Sequence, residues 1–332
     1  MKKLLLGAVA CFAWVPLALA DAEFIWGVTG AQGAASSLYA INPDTGELLG
    51  RVGSTDTVNL TGIEVKNGVL YAVQGQLSPA GASNKHLYRI DKKTGKAAEI
   101  ATLASKYAIS DLALRPTDGV MYGFGVSTLT KKLLTIDLTT GAITEIGAKN
   151  DIPNVSLTFG LDGTLYLVRT NGLFTMNPAT GAVITGPFAL SGANTQIDNF
   201  MATRSNGTIY CGLRTNGGTE LYTLNPATQV LTRVGTVAGV ALSGIAFDRT
   251  PRPVLKLKGK KTITTTKTTV KLKGTATSLV PLRISTKGAS TVAKSGKWTL
   301  KVKARKPRNV FRLTCDDGLG QRASAKAIVL RK

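Results

Sequence analysis

One phrase recurs five times along the chain, and this repeat constrains the fold more than any other feature of the sequence. In each copy, apolar residues alternate on both sides of a turn that begins with Asn or Asp, and in four copies Gly follows four residues later. This pattern predicts a β-hairpin, because the Asn or Asp side chain hydrogen-bonds the turn backbone and Gly accepts a positive φ. Gln229 replaces that Gly in the fifth copy, which predicts a turn that is strained or differently shaped. The copies are LYAINPDTGELLGRVG at Leu38, LYRIDKKTGKAAEIA at Leu87, LLTIDLTTGAITEIG at Leu133, LFTMNPATGAVITG at Leu173 and LYTLNPATQVLTRVG at Leu221.

A second hairpin precedes copies two to five. Each has an apolar strand, a turn that ends in Asn-Gly or Asp-Gly, and a strand with an aromatic second residue, and these dipeptides are strong hairpin signals. Two hairpins give a four-stranded unit. The copies lie 49, 46, 40 and 48 residues apart, which fits propeller blades of about 40–50 residues. The segments are LTGIEVKNGVLYAV, ISDLALRPTDGVMYGF, VSLTFGLDGTLYLV and IDNFMATRSNGTIYCG.

The two ends of the repeat region complement each other. The first copy lacks its innermost strand, since the chain enters at Phe24–Val28, which matches only the second strand of a unit. The missing strand appears after the last copy, at Leu242–Phe247. Pairing of these two segments would close a ring and hide the sheet edges. We therefore predict an all-β protein with a five-bladed β-propeller over residues 21–249.

From Phe24 to Asp248, the LYxIDxxTGxxxxIG phrases resemble those of secreted bacterial β-propellers, an uncharacterised group of the WD-repeat-like and quinoprotein-like superfamily. The resemblance implies the fold and carries no function with it. Quinone-dependent propeller enzymes have a Trp-rich docking repeat. Beyond the N-terminal segment this chain has only Trp26 and Trp298, so no cofactor is expected.

One aromatic residue recurs at the second strand of each unit. A ligand-binding box is conceivable, but equivalent large residues at one blade position usually pack between neighbouring sheets, and we favour packing. These residues are Trp26, Tyr71, Tyr122, Tyr166 and Tyr210.

The N-terminal residues 1–20 have the pattern of a secretory signal peptide. Lys2 and Lys3 precede a mostly apolar stretch, and small residues lead to a cleavage site before Asp21. A lipoprotein cleaved before Cys11 is the alternative. We expect a secreted protein, periplasmic, cell-surface or extracellular, with no transmembrane segment after cleavage.

Charge divides the remaining chain into two domains. Residues 21–249 carry 17 basic and 17 acidic residues, whereas residues 250–332 carry 22 basic residues against two acidic ones, a net charge of +20. Pro251-Arg252-Pro253 is the predicted hinge. Cys211 and Cys315 fall in different domains, which predicts two buried free thiols.

The basic tail alternates Lys, Arg and Thr with Leu, Val and Ile in six or seven short strands, the pattern of a small β-sandwich. VKLKGTAT, KWTLKVKA and FRLTCDDGLGQRAS resemble the Ig-like modules that end many secreted bacterial proteins. The charge predicts that residues 253–332 bind an anionic surface polymer, without base-specific recognition of nucleic acid. The alternative is that lysines merely protect strand edges.

The innermost strands predict the lining of the propeller channel. Their second positions carry mostly small hydroxyls, as in a narrow water-filled channel. The alternative is a polysaccharide hydrolase that uses Asp111 and Asp198 as an acid/base pair at the channel mouth. The second-position residues are Thr61, Ser110, Ser156, Asp198 and Ser243.

Other catalytic chemistry is sparse in this sequence. His86, the only histidine, lies in a polar stretch that predicts an exposed loop, and the few cysteines do not suit a metal site. We therefore expect no metal and favour a non-enzymatic binding protein. Its protein or carbohydrate partner would meet the propeller at the variable loops Gly75–His86 and Pro187–Gln196.

Overall fold

The structure is a computed structural model in which the described residues form strands, turns and loops without a helix. The predicted signal segment, residues 1–20, lies outside the described residues. For residues 198 and 199 only the backbone is considered. The described residues are 21–30, 34–75, 85–103, 107–127, 130–150, 152, 156–169, 172–192, 198–293 and 296–332.

Within the described residues, the repeat region forms five sheets of four antiparallel strands. Sheet 1 has the order β20 (Gly244–Thr250), β1 (Ala22–Val28), β2 (Ala35–Ile41), β3 (Leu48–Val58). Sheet 2 is β4 (Leu60–Lys66), β5 (Val69–Gln74), β6 (His86–Ile90), β7 (Ala97–Thr102). Sheet 3 is β8 (Ala108–Leu114), β9 (Met121–Val126), β10 (Lys131–Ile136), β11 (Ile143–Asn150). Sheet 4 is β12 (Ser156–Phe159), β13 (Leu165–Arg169), β14 (Gly172–Met176), β15 (Val183–Ala189). Sheet 5 is β16 (Asp198–Thr203), β17 (Ile209–Thr215), β18 (Gly218–Asn225), β19 (Val230–Ala238).

The turns of the repeated phrase have the predicted chemistry. In sheet 2, Asp91 Oδ1 accepts a 2.7 Å hydrogen bond from the backbone N–H of Lys93, and Gly95 follows with a φ of 82°. In the fifth copy Gln229 has a φ of 58°, a left-handed conformation in which a Cβ is disfavoured. Of the two predicted alternatives, the structure shows strain and not a different shape, because Gln229 adopts the left-handed conformation of the corresponding glycines.

Sheet 1 is built from both ends of the repeat region. β1 pairs with β20 without a register shift, from Ala22 opposite Thr250 to Val28 opposite Gly244. The first strands of the five sheets, β20, β4, β8, β12 and β16, are called the inner strands here, and each contacts the next in that order, with β16 contacting β20. Five apolar clusters follow the same cycle, each formed by side chains of two successive sheets.

The tail, residues 250–332, forms two sheets around one apolar core. It has eight strands beyond β20, one more than the larger number predicted. Cys211 and Cys315 are both buried and free, which confirms the prediction for these thiols. The three-stranded sheet has the order β21 (Val254–Leu257), β23 (Thr269–Thr277), β26 (Lys297–Lys303). The five-stranded sheet has the order β22 (Thr262–Thr265), β28 (Arg322–Arg331), β27 (Arg308–Asp316), β24 (Arg283–Thr286), β25 (Ala289–Val292).

The tail contacts sheet 1 through apolar and polar groups. Val280 is buried in the same cluster as Phe24. Thr250 Oγ1 lies 2.9 Å from Ser278 Oγ, and Asn42 Nδ2 donates a 3.0 Å hydrogen bond to the carbonyl of Gly318. These contacts hold the tail against the repeat region beyond the predicted hinge.

The five sheets share two ends. We call the end where the inner strands begin the front face, and the end where they finish the back face. Because β5 runs antiparallel to β4, Gln74 at the end of β5 lies at the front face, as does the start of β16. Most of each predicted partner-binding loop, residues 76–84 and 193–197, lies outside the described residues.

Candidate functional sites: an axial pocket and a lysine face

Two of the predicted ring hydroxyls connect neighbouring inner strands. Thr61 Oγ1 donates a 2.7 Å hydrogen bond to the carbonyl of Ile109, and Ser243 Oγ donates a 2.6 Å hydrogen bond to the carbonyl of Leu60. Ser110 Oγ instead donates to the carbonyl of a residue in its own sheet, at 3.1 Å. These three hydroxyls therefore bond protein carbonyls at the centre of the molecule.

Ser156 occupies a different position along its inner strand from the one that the alignment of the five copies predicts. It lies opposite Val168, whereas Gly62 lies opposite Val73, and each partner is two residues past the tyrosine of its strand. Ser156 thus matches Gly62 and not Thr61. The sequence alignment places it one residue away because the turn after β12 is one residue longer: Phe159 lies opposite Leu165, whereas Val65 lies opposite Leu70.

Asp111 joins three inner strands. Its side chain is fully buried, and Oδ2 accepts hydrogen bonds from Ser156 Oγ at 2.7 Å and from the backbone N–H groups of Leu157 at 3.3 Å and Met201 at 3.4 Å. Oδ1 accepts from the N–H of Leu112 at 2.9 Å. One carboxyl group therefore ties β8 to β12 and β16.

The environment of Asp111 suits a structural role. Burial raises the pKa of this carboxyl well above its ordinary value, and its four hydrogen bonds oppose that rise. The group has no surface open to a substrate. Asp198 begins β16 opposite Gly212, but its side chain lies outside the described part of the structure.

The recurring aromatic residues pack between sheets where their contacts are described. The ring of Tyr122 in sheet 3 lies 5.1 Å from that of Phe159 in sheet 4, and Tyr210 in sheet 5 lies 5.0 Å from Phe247 in sheet 1. Trp26 is fully buried. The packing interpretation is confirmed for these three aromatic residues.

The back face carries a cavity of about 390 Å³, called the axial pocket here. All five inner strands, or the residues just beyond them, contribute to its walls. It therefore lies at the opposite end of the inner strands from the front face. The lining residues are Glu23, Glu64, Val65, Leu114, Pro116, Thr158, Phe159, Leu161, Ala202, Thr203, Arg204, Ser205, Phe247, Asp248 and Arg249.

Glu64 is a partly buried carboxyl in this pocket. Oε1 accepts a 2.8 Å hydrogen bond from the N–H of Val65, and Oε2 accepts a 3.3 Å hydrogen bond from the N–H of Leu114 in the next inner strand. Desolvation outweighs these bonds and raises the pKa of Glu64 to about 7. The carboxyl therefore changes protonation near neutral pH.

The other lining carboxylates are paired with cations. Glu23 lies 3.1 Å from Arg204 and 3.7 Å from Arg249, and Asp248 lies 2.9 Å from Lys92. Within the described residues, Glu64 is the one carboxyl of the pocket without an ion pair. It can therefore accept further hydrogen bonds from a ligand.

Sequence reasoning missed Glu64 although a signal was present. The position opposite the recurring aromatic residue holds alanine in three of the five inner strands and threonine in a fourth. A glutamate at that position is the exception among the copies. The five residues are Glu64, Ala113, Thr158, Ala202 and Ala246.

The outer face of the three-stranded tail sheet forms a second candidate site, called the lysine face here. Strands β23 and β26 alternate between buried apolar residues and exposed residues. Lys271 lies directly opposite Lys301 across these strands. The exposed lysines of this face are Lys256, Lys271, Lys273, Lys297, Lys301 and Lys303.

The lysine face has no compensating charge. The acidic residues of the tail are Asp316 and Asp317, at the end of the other sheet, and Asp316 pairs with Arg322 at 2.7 Å. Among the described residues, none of the six lysines has an ion-pair partner. Like charges directly opposite each other destabilise a sheet, so the pair Lys271–Lys301 does not serve stability.

Metal and histidine chemistry is not apparent in the described residues. No group of three or more His, Cys, Asp or Glu side chains is placed to hold a metal ion in this part of the chain. His86 is the first residue of β6, where the sequence predicted a loop, and its Nδ1 lies 2.8 Å from Glu99 Oε1. The described segments contain no helix long and apolar enough to cross a membrane.

A family model described as a repeat of unknown function (DUF6923) matches residues 18–160. Four-stranded sheets built from a repeated sequence, packed through their inner strands, are the blades of a propeller. The fold is a repeat-built β-propeller. No curated protein matches the sequence.

Several solved propeller structures are similar to the chain. A chain of the nidogen/laminin complex has 12% identity and a TM-score of 0.41, covering 68% of this chain and 98% of that one. The PQQ-bound aldose sugar dehydrogenase of Streptomyces coelicolor has 15% identity and a TM-score of 0.41, covering 82% and 95%. TolB of Acinetobacter baumannii has 11% identity and a TM-score of 0.41, covering 94% and 67%. These varied proteins share no single function.

Proposed function

We propose that the protein is a non-enzymatic, secreted or envelope-associated binding protein. In this proposal a five-bladed propeller presents a partner-binding platform, and an Ig-like tail attaches the protein to an anionic surface polymer. The lysine face of the tail is the attachment surface. The partner of the propeller is a protein or a carbohydrate.

The observation that carries the proposal is the position of Lys271 and Lys273 on a central strand. β23 lies between β21 and β26, so these lysines do not protect a sheet edge, which is the alternative reason to place lysine on a strand. Residues two apart on a strand are about 6.8 Å apart, and neighbouring strands are about 4.8 Å apart. The six charges thus form a regular array that suits the repeated anionic groups of a polymer.

The five-bladed, closed ring is supported by the cyclic contacts of the five inner strands and by the pairing of β1 with β20. An Ig-like tail is supported by two sheets around one core. Secretion is supported by the signal-like pattern of residues 1–20. A hydrolase acting through Asp111 and Asp198 has less support, because the carboxyl of Asp111 is buried and already accepts four hydrogen bonds.

Binding of the full chain to immobilised dextran sulfate tests the proposal. We expect the wild-type chain to be retained at low salt and to elute as salt rises. The triple variant Lys271→Ser, Lys273→Ser, Lys301→Ser should elute at clearly lower salt.

A matched control removes three charges elsewhere on the tail, with the substitutions Lys287→Ser, Lys306→Ser and Lys326→Ser. All three lysines are exposed, and none belongs to the lysine face. Retention of this control close to the wild type supports the proposal. Elution of both triple variants at the same salt concentration would contradict it. Retention would then depend on the number of lysines in the tail and not on their location in the lysine face.

A further inference from the structure

The axial pocket has the size and the position of a ligand site. Its volume of about 390 Å³ falls within the range of roughly 300–1,000 Å³ that is usual for small-ligand pockets. It lies on the axis of the ring, where the ends of all five inner strands meet, and rigid strands hold its walls. The described strand ends that border the predicted partner-binding loops, Gln74 and the start of β16, lie at the opposite face, so this site is distinct from them.

The polar groups of the pocket include both acceptors and donors. Glu64 is held by two backbone N–H groups and has no ion pair among the described residues, so its oxygens can accept from a ligand. Arg249 has a side chain that is 58% exposed, and one of its nitrogens donates a 2.8 Å hydrogen bond to Ser205 Oγ. Both groups therefore have capacity left for a ligand at the pocket.

This combination favours a ligand with hydroxyl groups. A hydroxyl both donates and accepts, so the hydroxyls of one ligand can donate to Glu64 and accept from Arg249. A ligand with a net charge is less suitable, because an anion would approach Glu64 and the carboxylates while a cation would approach Arg204 and Arg249. The site is thus best matched by a neutral, polyhydroxylated molecule.

Apolar side chains of the pocket provide a surface for the ring of such a ligand. Phe247 is partly buried at the wall, and Leu161 is 54% exposed at the rim. The C–H face of a sugar ring packs on such surfaces while its hydroxyls point to polar groups. Predominantly apolar walls with a few placed polar groups are the usual design of a small-molecule site.

We propose that the axial pocket binds a neutral sugar residue, with Glu64 and Arg249 as the hydrogen-bonding groups that orient its hydroxyls. The proposal does not depend on the attachment function of the lysine face. It assigns a carbohydrate site to the back face of the propeller.

The test uses saturation-transfer NMR on the full chain with glucose, galactose, mannose and N-acetylglucosamine as probes. We expect at least one probe to receive saturation. For that sugar, calorimetric titration above the pKa of Glu64 should show an affinity weakened about tenfold or more by Glu64→Gln, which removes the charge of the acceptor, and by Arg249→Ala, which removes a charged donor. Arg249→Ala keeps the test decisive if Glu64→Gln disturbs folding, because its side chain is largely exposed.

Two controls distinguish sugar binding at the axial pocket from polymer binding at the lysine face. Glu99→Gln changes an exposed glutamate of the same sheet, away from the pocket, and should bind the sugar as the wild type does. The triple lysine-face variant should also keep full sugar affinity. Absence of saturation transfer to all four sugars, or unchanged affinity in both pocket variants, would overturn the proposal.

Discussion

The carboxyl group of Asp111 accepts a 2.7 Å hydrogen bond from the hydroxyl of Ser156, which belongs to the inner strand of the next sheet. Two further hydrogen bonds to the same oxygen come from the backbones of β12 and β16. A single buried side chain thus links three of the five sheets near the axis. The residue that the sequence suggested as an alternative catalytic acid thus connects three inner strands.

We expect Ser156→Ala to lower the free energy of unfolding by about 1–3 kcal/mol, because a buried carboxyl then lacks a hydrogen-bond donor. Asp111→Ala should lower the free energy of unfolding by about 3 kcal/mol, since it leaves several buried donors without an acceptor. Urea unfolding measures both values. Ser110→Ala is the control and should cost less, because its hydroxyl bonds a carbonyl within its own sheet. Equal losses for Ser110→Ala and Asp111→Ala would contradict this role.

Glu64 predicts a dependence of stability on pH. Its pKa rises from an ordinary value of 4.5 to about 7 in the folded protein. The folded state therefore holds the proton more tightly, so the contribution of Glu64 to stability is full below pH 4.5 and is lost as pH rises to about 7. The loss is at most about 3 kcal/mol.

Urea unfolding of the wild type and of Glu64→Gln across this pH range tests the prediction. The unfolding free energy of the wild type minus that of Glu64→Gln should fall as pH rises, because only the wild type loses the contribution of Glu64. Carboxyls with a lowered pKa, such as Asp118 beside Arg115 at about 2, act in the opposite direction and cancel between the two proteins. A constant difference from pH 4.5 to 7 would be inconsistent with this environment for Glu64.

The pairing of β1 with β20 includes a polar contact that can be removed. Asp248 Oδ2 accepts a 2.9 Å hydrogen bond from Trp26 Nε1 and pairs with Lys92 at 2.9 Å. Asp248→Ala leaves the buried indole N–H without an acceptor, so we expect unfolding free energy to fall by about 2 kcal/mol. Asp44→Ala is the control, since its side chain is 67% exposed and exposed ion pairs contribute little. A loss for Asp44→Ala as large as that for Asp248→Ala would refute the importance of this contact.

The fifth turn offers a stabilising substitution. Gln229 has a φ of 58°, while the corresponding glycines have φ between 66° and 82°. Gln229→Gly removes the Cβ strain and should raise the melting temperature, with a gain in unfolding free energy of roughly 0.5–1 kcal/mol. The side-chain amide of Gln229 also donates to the carbonyls of Pro226 and Ala227. A lower melting temperature would mean that those two bonds outweigh the strain.

The repeat could be predicted because its information is local. Turn residues such as Asp91 and Gly95 determine each hairpin within a few positions, and the incomplete first copy indicated the pairing of β1 with β20. The environment of Asp111, in contrast, depends on residues that are distant in the sequence. Register shifts in β8 and β16, between Ile109 and Leu112 and between Asp198 and Met201, bring its carboxyl to two other strands, and no alignment of the copies reveals such bulges.

The tail shows the same division. The alternation of Lys and apolar residues in β23 and β26 predicted a charged outer face. The order of strands in the sheet depends on contacts between distant residues, and this order places Lys271 and Lys273 on the central strand. Edge protection does not explain lysines on a central strand, so their position favours a binding surface.

The most direct test of the proposed attachment function is the salt dependence of binding. The affinity of the full chain for fluorescently labelled dextran sulfate would be measured over a series of salt concentrations. Each lysine that contacts the polymer adds to the slope of the logarithm of affinity against the logarithm of salt concentration.

We predict that the triple variant Lys271→Ser, Lys273→Ser, Lys301→Ser lowers the magnitude of this slope by about two to three relative to the wild type. The control Lys287→Ser, Lys306→Ser, Lys326→Ser should lower it by less than about one. An unchanged slope in the lysine-face variant, or an equal decrease in both variants, would contradict attachment through the lysine face.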